Sequence, residues 1–546
     1  MMLGLMQNEP INLISILEHA ARWHGQHEIV TNTVEGEIHR QTYRETLERT
    51  TKLASSLLEY GIRPGDRLAT LAWNTSRHLE AWYAIFGQGA ICHTVNPRLF
   101  PDQIEFIINH AEDRMLFIDL TFVELVKSLL PKLPSVECVV VMTNAANMPD
   151  LFGFPVPYMC YEKFLAAGSQ NVDWPILDDD TASALCYTSG TTGDPKGVLY
   201  SHRGNLIHAY AVCSPDMFDF SCNDKILMVV PMFHANSWGI AYAAPMVGAT
   251  LVLPGPHVDG ANMQCIIDSE KVTKAAAVPT VWNSLITHLD DTGQRVDSLE
   301  EIIVGGAAVP RSMIETFDEK YGVEVIHAWG MTEMSPVGTV NRVKSFMSEL
   351  ERKERLDVKC KQGRVPYGVD MKIVDADGKD LPNDGITFGR LLVRGPWTIA
   401  RYYREADSAL DGGWFDTGDI ATIDEHGYMQ ITDRAKDVIK SGGEWISSVE
   451  IECAAMGILG IEMAACIGVS HEKWGERPIL LVKSGSEQLP AESDILAHLS
   501  QSVAKWQLPD AIIFVDEIPL TAAGKIDKKP LRAAYRDYLL DLPSKA

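Results

Sequence analysis

The sequence predicts an α/β protein. It would have a large N-terminal domain of layered α/β subdomains with a small β-barrel-like unit, and a small α+β C-terminal domain. Three observations predict this. A chain of 546 residues is too long for one hydrophobic core and implies several folding units. From about residue 40 to 300 short apolar runs alternate with helix-like stretches, the pattern of largely parallel sheets covered by helices. After about residue 360 the texture changes to short strands and tight turns, the pattern of hairpins.

Taken in order, "TYRETLERTTKLASSLLEYG" is the clearest early helix, and "RLATLAW", "ALCYTS", "KILMVVP" and "TLVLPG" are the apolar strands around it. "MKIVDADGKDLP" and "DIATIDEHGYMQITD" each place a turn dipeptide, Asp-Gly or His-Gly, between strand-like runs. The "DADGKD" segment has the start of a calcium loop without the later bidentate glutamate, so a plain turn is expected. Beyond "DRAKDVIKSGGEWIS", helix-like "SVEIECAAMG" and "SDILAHLSQSVAKW" lie among strand-like "AACIGV", "PILLVK" and "AIIFVDE". The boundary is expected near Asp433–Arg434, giving domains 1–433 and 434–546.

A formal charge of −25 argues against nucleic acid or an anionic membrane as partner. Any anionic substrate must then be met by backbone N–H groups, a few cations or a metal. The first 21 residues carry no lysine or arginine, so the cationic start of a signal peptide is missing. The charge-free run from Ile226 to Val258 is broken by Pro231, Asn236, Pro245, Pro254 and Pro256, which leaves pieces too short to span a bilayer and suits buried lining. Ten cysteines with no C-x-x-C pair indicate neither zinc nor a disulfide framework, and the cytoplasm is the expected location.

The chemistry begins at "YTSGTTGDPKG", residues 187–197. A Walker A loop needs Gly-Lys followed by Ser or Thr and opens directly into a helix. Here Lys196 precedes Gly197 and strand-like "VLY", with the first helix start near Ser201 to Asn205. The loop is therefore expected to join two strands and to wrap phosphates with amides and hydroxyls. A flexible surface loop is the plain alternative. The longer word "YTSGTTGDPKGVLYSHRGN" resembles the signature of the adenylate-forming superfamily, which includes acyl-CoA synthetases, luciferases and adenylation domains of peptide synthetases.

That resemblance implies an enzyme that joins a carboxylate to the α-phosphorus of ATP and then exchanges AMP for the thiol of CoA, with Mg²⁺ present. It implies a pyrophosphate cradle at Thr188, Ser189, Gly190, Thr191, Thr192 and Gly193, with Lys196 beside it. "HAWGMTEMSP", residues 327–336, matches the family's aromatic-Gly-x-Thr-Glu motif. By that match Trp329 lies against adenine, Thr332 bonds the α-phosphate and Glu333 helps hold Mg²⁺. "VGGAAVP" supplies Gly306 and Ala307 on the adenine side, "WFDTGDI" supplies Asp419 for the ribose hydroxyls, and Arg434 matches a further ribose or phosphate contact. Lys525 in "PLTAAGKIDKKPLR" matches the lysine that reaches the reacting atoms from a mobile C-terminal domain. Lys436 matches the hinge, Lys440 a lysine of the second half-reaction, and Gly442, Gly443 and Trp445 the CoA side.

"PMFHANSWG", residues 231–239, occupies the family's acid-pocket position. Amino-acid-activating relatives have Asp after the Phe. His234 stands there instead, so no α-amino group is expected on the acid. Trp238 resembles the gate of fatty-acyl-CoA synthetases, and Met331 supports an apolar acid. The overall pattern is also similar to ligases for 3-methylmercaptopropionate, a short thioether acid and the expected substrate. Medium-chain fatty acids come next, and a long-chain ligase or a luciferase-like oxygenase remains an alternative. A homodimer is expected from the fatty-acyl resemblance alone.

Overall fold

The computed structural model describes residues 4–7, 9–151, 153–188, 194–434, 436–442, 444–458, 460–485, 490–521 and 525–540, with the side chains of Glu444 and Trp445 excepted. Four sheets organise the described chain. A seven-stranded sheet runs in the order Tyr158–Cys160, Cys138–Val141, Met115–Ile118, Arg67–Leu71, Ile91–Thr94, Ala182–Thr188 and Lys196–Ser201. Every pair is parallel except the last, which is antiparallel. An eight-stranded sheet is parallel through Glu28–Asn32, Thr250–Leu253, Lys225–Met228, Lys274–Ala277, Glu301–Val304 and Glu324–Gly330. Antiparallel strands Ile38–Thr42 and Val337–Val340 close its two edges.

The uninterrupted apolar strands have this physical origin: Met115–Ile118 and Cys138–Val141 are buried at every position, as central strands covered on both faces must be. The two sheets share a core. Helix Ser76–Gly87 and helix Ile240–Val247 lie in it, and the Tyr83 hydroxyl donates to the Ala241 carbonyl at 2.9 Å. The expected early helix is Tyr43–Tyr60. Thr42 and Glu45 form a capping box at its start, and Gly61 at φ 101° ends it.

The hairpin-rich region is a five-stranded antiparallel sheet of Asp370–Val374, Phe388–Arg394, Leu410–Asp411, Trp414–Ile423 and Met429–Arg434. Its last hairpin turns at Asp424, whose carboxylate accepts from the N–H groups of His426 and Tyr428, both at 2.9 Å. The "DADGKD" segment is a turn closed by Asp375 in the same manner, through the N–H groups of Asp377 and Lys379.

The final sheet contains Ile439–Ser441, Glu444–Ile446, Ile461–His471, Gly475–Ser484 and Ala511–Phe514. Its side chains alternate between two cores. Ala464 and Cys466 face helices Ser448–Ala455 and Glu492–Leu499, while Ala465, Ile467 and Val469 face helix Lys528–Tyr535. The helix expected over 493–506 ends at Leu499. Ser500 turns its hydroxyl back to the Ala497 carbonyl at 2.7 Å, and a short 3₁₀ turn, Lys505–Gln507, follows. Among the described residues no helix is long and apolar enough to cross a membrane.

Candidate active site

The antiparallel strands Ala182–Thr188 and Lys196–Ser201 flank the glycine-rich loop and set Thr188 directly opposite Lys196. Ser189, Gly190, Thr191, Thr192 and Gly193 lie outside the described residues. As expected, the loop joins two strands, and the following helix, His202–Cys213, starts behind the Ser201 N-cap.

Glu333 sits in a buried 3₁₀ turn, Thr332–Met334, at the end of strand Glu324–Gly330. The turn is pinned from both sides. The Tyr200 hydroxyl donates to the Thr332 carbonyl at 2.6 Å, and the Ile399 N–H donates to the Glu333 carbonyl at 2.9 Å. The Tyr402 hydroxyl donates to Glu333 Oε1 at 2.8 Å, and Lys196 Nζ stands 4.8 Å from the centre of the Tyr402 ring. One tyrosine thus links the cation beside the loop to the expected metal carboxylate. Burial pushes the Glu333 carboxyl above its ordinary value, opposed by the Tyr402 hydrogen bond and by Arg434 and Lys525.

Asp419 and Arg434 lie fifteen positions apart in sequence and directly opposite in the Trp414–Ile423 and Met429–Arg434 hairpin. Arg434 Nε is 2.8 Å from Asp419 Oδ1, and the Trp329 indole N–H donates to Oδ2 at 3.1 Å. The Arg434 contact is an ion pair out of hydrogen-bond alignment, so buried Oδ1 receives no aligned donor. A buried carboxylate oxygen without an aligned donor is fitted to accept a hydrogen bond from a ligand hydroxyl.

Gly306, expected on the adenine side, adopts φ 83°, the left-handed region that suits glycine. A Cβ on neighbouring Gly305 would stand 2.8 Å from the Ala328 carbonyl oxygen and 3.0 Å from the Trp238 ring. Trp238 is therefore packed against the backbone that leads to Gly306 and Ala307. It belongs to a run of left-handed residues, Ala235, Asn236, Ser237, Trp238 and Gly239, with φ between 43° and 79°. Such a conformation costs about 1–2 kcal/mol per non-glycine residue and needs compensation. Asn236 donates to Asn205 Oδ1 at 3.2 Å, and the Ser237 hydroxyl donates to the Val230 carbonyl at 3.0 Å. His208 packs beneath Gly239, where a Cβ would stand 2.6 Å from the imidazole. Its Nε2 accepts the Val337 N–H at 3.2 Å, and burial pushes its pKa down to about 3, so the ring is neutral with its proton on Nδ1.

Lys525 closes the site from the C-terminal unit. The Thr521 N–H donates to the Lys525 carbonyl at 2.7 Å, and the Lys525 N–H donates to the Thr521 hydroxyl at 3.2 Å, which ties the ends of a tight hairpin. Burial, with Arg434 nearby, pushes the ammonium pKa down to about 8, and Asp419 and Glu333 oppose that shift. Burial also pushes His234 down to about 4, with Lys525 and Arg98 adding to it, so its imidazole is neutral near pH 7. Residues 234, 333, 419, 434 and 525, remote in sequence, therefore share one electrostatic environment.

The remaining expected residues, Met331 excepted, sit within the small unit. Lys436 is exposed, and its carbonyl accepts from Arg532 at 2.9 Å. Lys440 has an exposed side chain on Ile439–Ser441, and its N–H donates to Glu476 at 2.9 Å. Gly442 has φ 61° beneath Trp474, where a Cβ would stand 2.6 Å from the indole. Gly443 and the Trp445 side chain lie outside the described residues. Met331 packs against the core of the antiparallel sheet. Sequence reasoning missed Tyr200, His208, Tyr402 and Trp474. None stands at a spacing that distinguishes it from an ordinary core aromatic.

A family model described as AMP-binding enzyme matches residues 17–403, and one described as AMP-binding enzyme C-terminal domain matches residues 450–525. The chain belongs to the AMP-binding enzyme family. This AMP-binding enzyme is 47% identical to a 3-methylmercaptopropionyl-CoA ligase of Ruegeria lacuscaerulensis, over 98% of this chain and 100% of the relative. It is 48% identical to a medium-chain-fatty-acid–CoA ligase of Ectopseudomonas oleovorans, over 99% and 98% of the two chains. A long-chain-fatty-acid–CoA ligase of Thermus thermophilus is 44% identical over 98% and 97%. Among solved structures, the anthranilate CoA ligase AuaEII in complex with anthranoyl-AMP superposes with a TM-score of 0.86 at 24% identity, covering 98% of this chain and 99% of that one. At that identity the likeness speaks for the fold of the AMP-binding enzyme.

Proposed function

We propose that this AMP-binding enzyme activates a short- or medium-chain apolar carboxylic acid, with 3-methylmercaptopropionate the best single candidate. The enzyme is an AMP-forming acid–CoA ligase. The carboxylate attacks the α-phosphorus of ATP with loss of pyrophosphate, and the CoA thiol then displaces AMP from the acyl-adenylate. The observation that carries the reading is the convergence of Lys525, from the C-terminal unit, with Asp419, Glu333 and Arg434.

Each residue has a physical task. Lys525 offers a compact ammonium to the oxygens where negative charge gathers, a need set by an anion attacking a triphosphate. Thr332 would donate to the α-phosphate. Asp419 would accept from the ribose, and Gly306, Ala307 and Trp329 would shape the nucleotide side. Bound Mg²⁺ would neutralise phosphate charge. Glu333 suits it as a hard oxygen donor with Oε1 already oriented by Tyr402. Thr188 through Gly193, with Lys196, would face the pyrophosphate. In the second half-reaction Lys436 would serve as hinge, and Lys440, Gly442, Gly443 and Trp445 would turn toward CoA. A neutral His234, four positions before Trp238, supports an acid with an uncharged tail. Relatives named for a short thioether acid and for medium-chain acids, at 47% and 48% identity, support a short or medium tail. Ten free cysteines suit the cytoplasm.

The test is formation of AMP and acyl-CoA across acids from acetate through octanoate to palmitate, with 3-methylmercaptopropionate and benzoate included. A sharp optimum at short or medium apolar acids is expected. Lys525→Ala should cut adenylation by roughly 10²–10³, the loss typical of one preorganised donor. AMP release without thioester would overturn the CoA assignment, and an optimum at palmitate or benzoate would overturn the acid.

A further inference from the structure

We propose that Asp433, Ser448, Lys528 and Glu452 form a latch across the hinge that holds the Lys525 hairpin in its adenylating position. The proposal rests on the two-step ligase reading above. Asp433 lies near the end of strand Met429–Arg434, before Lys436, and the other three residues follow it. Asp433 Oδ2 accepts the Ser448 N–H at 2.6 Å and the Ser448 hydroxyl at 2.7 Å. The same hydroxyl accepts from Lys528 Nζ at 2.6 Å. Lys528 Nζ also pairs with Glu452 Oε1 at 2.7 Å, and that oxygen accepts the Cys466 N–H at 2.7 Å. One residue earlier, the Ser447 hydroxyl donates to the Thr432 carbonyl.

All four side chains are withdrawn from water, with 0% exposure at Asp433 and Ser448, 6% at Glu452 and 8% at Lys528. Burial raises the Asp433 carboxyl and pushes Glu452 up to about 7, with Lys528 opposing both shifts, so these ionisable groups are tolerable in a dry space only when they satisfy one another. Glu452 and Asp433 hold the Lys528 pKa up at about 12 against the effect of burial, so the ammonium stays charged. Lys528 stands three residues beyond Lys525. The Asp527 N–H donates to the Pro519 carbonyl at 2.8 Å, which fastens the base of the Lys525 hairpin. A continuous set of contacts therefore runs from the strand end at Asp433, through Ser448 and Lys528, to the hairpin carrying the adenylating lysine.

A rotation about the Lys436 backbone moves Ser448 relative to Asp433 and breaks both of their hydrogen bonds. The Lys528–Glu452, Lys528–Ser448 and Glu452–Cys466 contacts lie wholly beyond the hinge and travel with the small unit. Within this set, only the Asp433–Ser448 and Thr432–Ser447 contacts then differ between the two orientations. Only such differential contacts can bias the equilibrium. Ser448 is a positioning residue in this scheme, acting through the orientation of Lys525.

Ser448 also allows a clean test. It is the first residue of helix Ser448–Ala455, behind the Ser447 N-cap, where proline lacks nothing the helix needs. Ser447 is already extended, at φ −74° and ψ 115°, as a residue before proline must be. Ser448→Ala removes one of the two donors to Asp433, and Ser448→Pro removes both. Two single-turnover rates would be measured in the full-length enzyme: adenylate formation from acid and ATP without CoA, and thioester formation from supplied acyl-adenylate and CoA. The ratio of the first rate to the second should fall about three- to tenfold in Ser448→Ala and further in Ser448→Pro, beyond any loss that both rates share through a lowered Tm. An unchanged ratio in both variants overturns the latch. So does a parallel loss of both rates with a lowered Tm, the mark of a purely structural role. A parent enzyme that makes neither product overturns the ligase reading, and the latch with it.

Discussion

Lys525 and Tyr402 carry the sharpest residue-level consequences. The Lys525 pKa is lowered to about 8, so its cation is complete below that pH and is lost as pH rises through it. Adenylation kcat/KM should then fall about tenfold per pH unit above roughly pH 8. Pyrophosphate release measured from pH 6.5 to 9.5 would show that limb, and a flat profile would remove Lys525 from the charge-bearing role. Tyr402→Phe keeps the ring beneath Lys196 and deletes the hydrogen bond to Glu333. A hydrogen bond to a charged group is worth about 1.5–3 kcal/mol, so the Mg²⁺ concentration for half-maximal adenylation should rise roughly tenfold or more. An unaltered Mg²⁺ titration would show that Tyr402 orients nothing. Residue identity in the sequence predicted Lys525, Glu333 and Asp419 through motif order. Tyr402 escaped because "ARYYRE" contains nothing that ties it to a loop two hundred positions earlier.

The left-handed run from Ala235 to Gly239 is the element on which the proposed acid pocket depends. Its tolerance rests on Asn205, Val230 and the His208 ring, which occupies the space a Cβ at Gly239 would need. Gly239→Ala should therefore destabilise the N-terminal part by about 1–3 kcal/mol, read as a lowered first thermal transition. Acid specificity should shift with it, because Trp238 is the adjacent residue. A variant with parental Tm and parental acid preference would show that the turn is not held by this packing. The sequence made the segment legible as buried lining, since it lacks charge and contains helix breakers. Its handedness was not legible. Ala, Asn, Ser and Trp all favour right-handed backbone or strand when isolated, and here tertiary contacts outweigh that preference.

For the molecule as a whole, Lys525 of the small unit shares the electrostatic environment of Asp419 and Glu333 in the large one, and the proposed hinge would permit a second arrangement for the thiol to arrive. A cysteine pair made by Asp433→Cys with Ser448→Cys replaces the hydrogen-bonded contact across that hinge. Oxidised, the protein should still form acyl-adenylate in one turnover and should fail to make thioester, with recovery in dithiothreitol. Undiminished thioester synthesis by the fully crosslinked protein would show that no rotation past this contact is needed.

By itself the sequence determined the layered α/β class, the strands flanking the glycine-rich loop, the hairpin sheet and the order of the chemical motifs. These follow from local periodicity, turn residues and short-range spacing, which each segment carries with it. Tertiary structure alone decided that Arg434 stands opposite Asp419, that Tyr402 joins Lys196 to Glu333, and that Asp433 reaches Ser448 and through it Lys528. Those contacts join residues whose separation along the chain carries no signal, and they arise from the packing of separate sheets around one polar site that water leaves.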